Sequence, residues 1–312
     1  MKRILLIISF FSILQIANTQ STSDIGKISL SVIMPDNVDG LDLSQLSKLE
    51  TKITQIVTNS GLAATGNNNS FVIYPKFSVY ESNIVEGGMQ NITVVKCEVS
   101  LFVKQVDNNI LFSSISKMLS GSGSNKSNAL TNAISKININ DNEFKTFVET
   151  AKTKIVKYYE NKCSDIILKS ESLSKKQAYE ESLALLMSVP EEVSCYSKVQ
   201  EKSIVVYKAY QDQKCKILLA EANVSMAGND NSKALETLAL IDPSSTCFND
   251  AKLIMKKLET KINVEQKRQL EFQMKVYDDQ IALEKQRINA VKDIAVAYYK
   301  NQPSVHYNYI IR

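Results

Sequence analysis

Residues 162–196 read KCSDIILKSESLSKKQAYEESLALLMSVPEEVSCY, and residues 214–248 read KCKILLAEANVSMAGNDNSKALETLALIDPSSTCF. Cys163 and Cys195 are 32 positions apart, as are Cys215 and Cys247, and Cys215 follows Cys163 by 52. The apolar positions travel with the cysteines. Ile166 and Ile167 fall on Leu218 and Leu219, Leu183 and Leu186 on Leu235 and Leu238, Val189 on Ile241 and Tyr196 on Phe248. Pro190 falls one position short of Pro243, so a proline marks a turn before the second cysteine of each copy. Repeats of this size stack helical hairpins whose apolar faces cannot be buried alone. The four cysteines are read either as two bridges, Cys163–Cys195 and Cys215–Cys247, or as reduced thiols at equivalent core positions.

The compartment bears on that choice. Lys2 and Arg3 precede a run from Ile4 to Leu14 interrupted only by Ser9 and Ser12, and Ala17-Asn18-Thr19 supplies small residues for cleavage. Residues 1–20 therefore read as a secretory signal, with an uncleaved anchor as the alternative. The run is short for a membrane span, and no later stretch approaches one. Export permits disulfides. The expected location is periplasmic or secreted.

Length and composition give a globular chain of two or three domains, with 312 residues and 44% hydrophobic content. The formal net charge of +4 falls to +2 when Lys2 and Arg3 leave with the signal, which provides no electrostatic footprint for nucleic acid.

Glycine divides the chain, since eight of nine lie at or before Gly123 and only Gly228 follows. A turn-rich mixed domain, residues 25–160, is expected to precede an all-helical one. Residues 27–34 alternate with Ile28, Leu30 and Val32 on one face and read as a strand. Ser44 is the expected cap of a helix carrying Leu46, Leu49, Ile53, Ile56 and Val57, closed by Gly61. Strands follow at 71–80, 92–104 and 110–118, the last two joined by a turn at Asn108-Asn109. Helices are expected from Asn128 to Ile137 and from Asp141 to Tyr159, giving the order β-α-β-β-β-α. Cys97 lies between Val95 and Val99 on the apolar face of its strand and reads as a buried structural thiol. Gly121-Ser122-Gly123-Ser124 lacks the GK[ST] ending of a phosphate loop and reads as a flexible turn.

The passage from strand through Gly121-Ser122-Gly123 into Ser127, Ala129 and Ala133 resembles the amino-terminal domain of FlgT, CsgG and TolB-like bacterial envelope proteins. The resemblance covers residues 25–160. It implies a periplasmic binding or assembly module, often in ring-like complexes. The two hairpins at 161–250 are similar to tetratricopeptide arrays, with a period longer than the standard repeat of that family.

Between Ser244 and Lys300 there is no glycine or proline, and a long helix is expected over 251–300. Leu270, Met274, Tyr277, Ile281, Ile288, Val291, Ala295 and Tyr298 occupy its a and d heptad positions, and Arg287 falls among the charges of the outer faces. A coiled coil between subunits and a helix folded back on its own array both account for this seam. Residues 301–312 follow as a short strand-like tail, with Val305 to Ile311 alternating.

The expected architecture is thus an α+β N-terminal domain followed by an all-α helical-repeat region and a long C-terminal helix. No nucleophile motif, dinucleotide fingerprint or Walker sequence is present, and His306 is the one histidine. Catalytic residues, cofactors and bound metals are therefore not expected. Glu171, Lys175, Lys176, Glu180 and Glu181 read as a solvated helical face, and Tyr158-Tyr159 and Tyr298-Tyr299 as packing residues at helix ends. These readings point to an exported, non-enzymatic structural or assembly scaffold with protein partners, self-associating as a homo-oligomer, without nucleic acid and without an integral span once the signal is removed. A periplasmic ligand-binding module and a tailed-phage neck or tail ring component in a virion are the alternatives.

Overall fold

The computed structural model describes residues 27–35, 40–65, 71–86, 91–106, 108–258 and 280–300, with Val38 and Arg268 as isolated positions. The expected signal at 1–20 and the tail at 301–312 lie outside them. An α+β unit is followed by a helical region, as the glycine distribution indicates.

The sheet contains β1 (Ser29–Val32), β2 (Ala63–Thr65), β3 (Phe71–Val85), β4 (Ile92–Gln105) and β5 (Leu111–Gly123), in the order β2-β1-β3-β4-β5. β1 pairs in parallel with β2 and β3, whereas β3, β4 and β5 form an antiparallel meander. The alternation along β4 places Val95, Cys97, Val99, Leu101 and Val103 in the core. Cys97 stands opposite Val79 and Leu119 and is a free, buried thiol. Burial pushes its pKa up to about 11, so it stays protonated and unreactive at neutral pH.

Three helices accompany the sheet: α1 (Leu43–Asn59) between β1 and β2, then α2 (Lys126–Ser135) and α3 (Asn142–Lys175) after β5. The cap of α1 is Asp42 and not Ser44. The Asp42 carboxylate accepts from the Gln45 backbone N–H, and the Gln45 side chain accepts from that of Asp42. This reciprocal box satisfies two donors that the first turn leaves open. The buried Gln45 amide also donates to Ser127 O at 2.9 Å and Thr131 Oγ1 at 3.0 Å, joining α1 to α2. Gly61 adopts φ +78° just past the helix, as expected of its position.

The Gly121–Ser124 stretch is not a flexible turn. Gly121 and Gly123 are the last inward-facing positions of β5, paired with Val95 and Thr93. A Cβ at Gly121 would meet Ala133 N at 2.6 Å, and one at Gly123 would meet Ala129 N at 2.6 Å. The glycines thus form a smooth seat that lets α2 lie directly on the strand end, with Ala129 and Ala133 fully buried against it.

The third helix, α3, runs for 34 residues, a length of about 50 Å. The boundary expected at residue 160 falls inside it. Phe144, Phe147, Val148, Ala151 and Ile155 pack into the sheet core, and Cys163 and Ser170 pack into the first hairpin. Tyr158 and Tyr159 are therefore mid-helix and not at a helix end. Tyr159 is buried edge-on to Phe71, and its hydroxyl accepts from Gln105 Nε2 at 3.2 Å.

The helical region continues with α4 (Tyr179–Met187), α5 (Tyr196–Ala227), α6 (Asn231–Ala239), α7 (Phe248–Leu258) and α8 (Gln280–Lys300). The repeat seen in sequence recurs in the backbone. α3 and α5 end, α4 and α6 begin and end, and α5 and α7 begin at positions offset by the same interval that separates Cys163 from Cys215. Even the left-handed residues correspond: Gln177 has φ 62° after α3, and Asn229 has φ 61° after α5. Where the long and short helices cross, the buried pair is Ser170 and Ser182 in the first copy and Ala222 and Ala234 in the second. Small side chains permit close approach at both crossings. The serine hydroxyls satisfy one another at 2.8 Å.

Two cores result. One runs without interruption from the sheet through α3, α4 and the first part of α5 to Val291 and Ala295 of α8. The other holds Cys215, Ala222, Leu235, Leu238, Phe248 and Met255 of the second hairpin.

Candidate functional site

Both cysteine pairs are disulfides. Cys163 on α3 joins Cys195 at the start of α5, with Cα atoms 6.6 Å apart, and Cys215 on α5 joins Cys247 at the start of α7, with Cα atoms 6.2 Å apart. Each bond therefore ties a long helix to the start of the next and closes around the intervening short helix. Loops of this length are worth about 3–4 kcal/mol each in the chain-entropy picture.

Of the expected seam, Val291 and Ala295 are buried in the core shared with the sheet unit and first hairpin, and Tyr298 packs at its border. These three contact their own chain. Leu270, Met274 and Tyr277 lie outside the described residues. For Ile281 and Ile288 only the helical backbone is described.

Charges expected to be solvated take specific partners. Glu171 pairs with Lys202 across α3 and α5 at 2.6 Å, and Lys202 holds the Glu171 carboxyl below its ordinary range. Glu180 on α4 accepts from the Tyr210 hydroxyl at 2.6 Å. The second hairpin has a parallel contact, in which Tyr207 on α5 donates to Asp242 Oδ2 at 2.6 Å. Asp242 sits in the α6–α7 turn, where its other oxygen accepts the Ser244 backbone N–H at 2.7 Å. Burial first, and the carboxylate partner second, hold both tyrosine hydroxyls protonated well beyond the usual range.

Tyr207 and Asp242 belong to the wall of a groove of about 630 Å³ between α5, the α6–α7 turn and α8. That volume lies in the range of small-molecule sites. Ile217, Leu218 and Leu240 provide apolar wall, and Lys214 and Arg287 provide positive charge. Lys214 Nζ lies 4.7 Å from the centre of the Tyr210 ring, a cation–π contact that orients it along α5. Arg287 was expected on an outer face. Its Nε is instead buried and has no hydrogen-bond partner. Sequence reading missed this groove because its walls come from three separated segments, and heptad position alone places Arg287 outward.

Among the described residues, no group of three or more His, Cys, Asp or Glu side chains could hold a metal ion, and no helix is long and apolar enough to cross a membrane. No protein-family model matches the chain, and no curated protein matches it. Among solved structures, the chain shows a likeness to a minor lipoprotein from Acinetobacter baumannii, at 12% identity over 40% of this chain and 85% of that one, with a TM-score of 0.23. A TM-score of that size does not establish a shared fold.

Proposed function

We propose that this protein is an exported, non-enzymatic scaffold of a cell-envelope complex, which holds protein partners and self-associates. The observation that carries the reading is the disulfide-closed array propagated from the sheet unit by shared long helices. Each long helix contributes to two successive units, so the array transmits orientation along its length. Paired oxidised cysteines suit a compartment outside the reducing cytosol. The resemblance of residues 25–160 to FlgT, CsgG and TolB-like domains supports an envelope role. The test is fractionation of the native host combined with light scattering on the purified protein. The reading expects extracytoplasmic protein whose particle mass is a multiple of the 34.9 kDa chain, or of the chain less its signal. A cytosolic protein with alkylatable cysteines, or a monomer at all concentrations, overturns it.

A periplasmic ligand-binding module is the second reading, favoured by the groove beside Tyr207 and Arg287. Its test is a ligand-induced rise in melting temperature that is lost when the groove is filled by Ala290→Phe.

A further inference from the structure

We propose that the groove between α5, the α6–α7 turn and α8 binds a small amphiphilic anion, with its head at Arg287 and Lys214 and its apolar body along Leu218 and Leu240. The inference rests on the ligand-binding reading and deepens it by naming the ligand class.

The argument begins with Arg287. Its Nε is withdrawn from solvent and unpaired within the protein. A buried donor without a partner is unfavourable, and more so when the group is charged. Nearby Asp242 is already committed, with one oxygen accepting from Tyr207 and the other from the Ser244 backbone. The Tyr207 hydroxyl is likewise spent on Asp242 and stays protonated. Among the described residues, the groove wall carries Lys214 and Arg287 against Asp242, whose two oxygens are both engaged. An incoming anion would give Arg287 Nε the acceptor it lacks, as a charge-assisted hydrogen bond.

The remainder of the wall sets the rest of the ligand. Ile217 and Leu240 are more than half exposed, at 52% and 71%, and stand beside the buried or half-buried Leu218 and Ile241. An ion lacking an apolar portion would leave these side chains wet. An alkyl chain would cover them and remove their apolar surface from water. The second hairpin thus offers a buried guanidinium nitrogen and an exposed lysine beside a run of apolar side chains. In the first hairpin the position equivalent to Tyr207 is Ile155, buried in the sheet core.

The experiment is isothermal titration of the purified full-length protein with octanoate, octyl phosphate, octanol and octyltrimethylammonium. Octanoate and octyl phosphate separate a carboxylate source from a phosphate source. At least one is expected to bind saturably and at least tenfold more tightly than octanol, with the ammonium weaker still. Arg287→Met should weaken the anion at least tenfold while leaving the ligand-free melting temperature unchanged or higher, and Lys214→Met should weaken it less. Octanol binding as tightly as the anions, with Arg287→Met indifferent, would overturn the anionic assignment and leave the ligand-binding reading standing. No saturable binding of any probe would overturn both.

Discussion

The two helical hairpins share a backbone, a disulfide and a crossing of small residues, yet they sit in different surroundings. The first is continuous with the sheet core and covered by α8. The second has its own small core and borders an open groove. At Ile155 the first copy has an aliphatic side chain packed under the sheet; at the equivalent Tyr207 the second has a hydroxyl donating to Asp242. Duplication thus fixed the helix boundaries and the bridges, and neighbours made one copy a structural joint and the other a candidate binding surface.

The largest effect should come from the bridges. Replacing either pair by alanine removes about 3–4 kcal/mol of unfolded-state constraint, since both loops have the same length. The consequences should differ. Cys163→Ala with Cys195→Ala should lower a single global transition, because that hairpin shares the sheet core. Cys215→Ala with Cys247→Ala should let α6 and α7 open by themselves, seen as faster amide exchange there with the sheet still protected. Identical exchange patterns in the two variants would break the comparison.

A smaller effect attends the tyrosine contact that distinguishes the second copy. Tyr207→Phe leaves one Asp242 oxygen without its donor and should cost about 1–2 kcal/mol, read from urea midpoints. The pH dependence has a definite sign. Tyr207 and Tyr210 titrate above the ordinary value of 10.0 when folded. Their contribution is complete below that pH and is lost as pH rises through the raised folded values, because the unfolded chain ionises first. The double variant Tyr207→Phe with Tyr210→Phe should flatten the loss of stability above about pH 10. An unchanged alkaline slope would show that these hydroxyls do not carry it.

The smallest effect concerns the two left-handed positions, Gln177 and Asn229. Asparagine tolerates this conformation more readily than glutamine, because its short polar side chain can hydrogen-bond locally. Gln177→Gly should stabilise the first hairpin by about 0.5–1 kcal/mol, offset in part by the exposed contact that Gln213 makes with Gln177. A loss of stability would mean that this contact outweighs the strain.

Much of this organisation was legible in the chain. The repeat offset survives because it is written in cysteines and apolar residues, which share one face and cannot drift without losing the core. β4 was legible for a similar reason, since Val95, Cys97, Val99, Leu101 and Val103 take every second position and are all buried. β2 was missed because Ala63-Ala64-Thr65 is too short to show a period, and its pairing with β1 is set by the fold. The length of α3 was hidden by a change of partner midway. Its apolar face turns from the sheet to the hairpin near Tyr159, so neither pattern spans the whole helix. Gly121 and Gly123 read as a turn because glycine marks both flexibility and close approach, and only the position of α2 separates the two. The groove was least legible, since it unites Tyr207, Asp242 and Arg287 from three segments.

The central claim is that two equivalent hairpins are closed separately by their own bridges. Non-reducing proteolysis followed by mass spectrometry tests it most directly. The account predicts linked peptides joining Cys163 to Cys195 and Cys215 to Cys247, with Cys97 alkylated only after denaturation. A link between the copies, such as Cys195 to Cys215, or five thiols free to alkylate in the denatured chain without reductant, would contradict it.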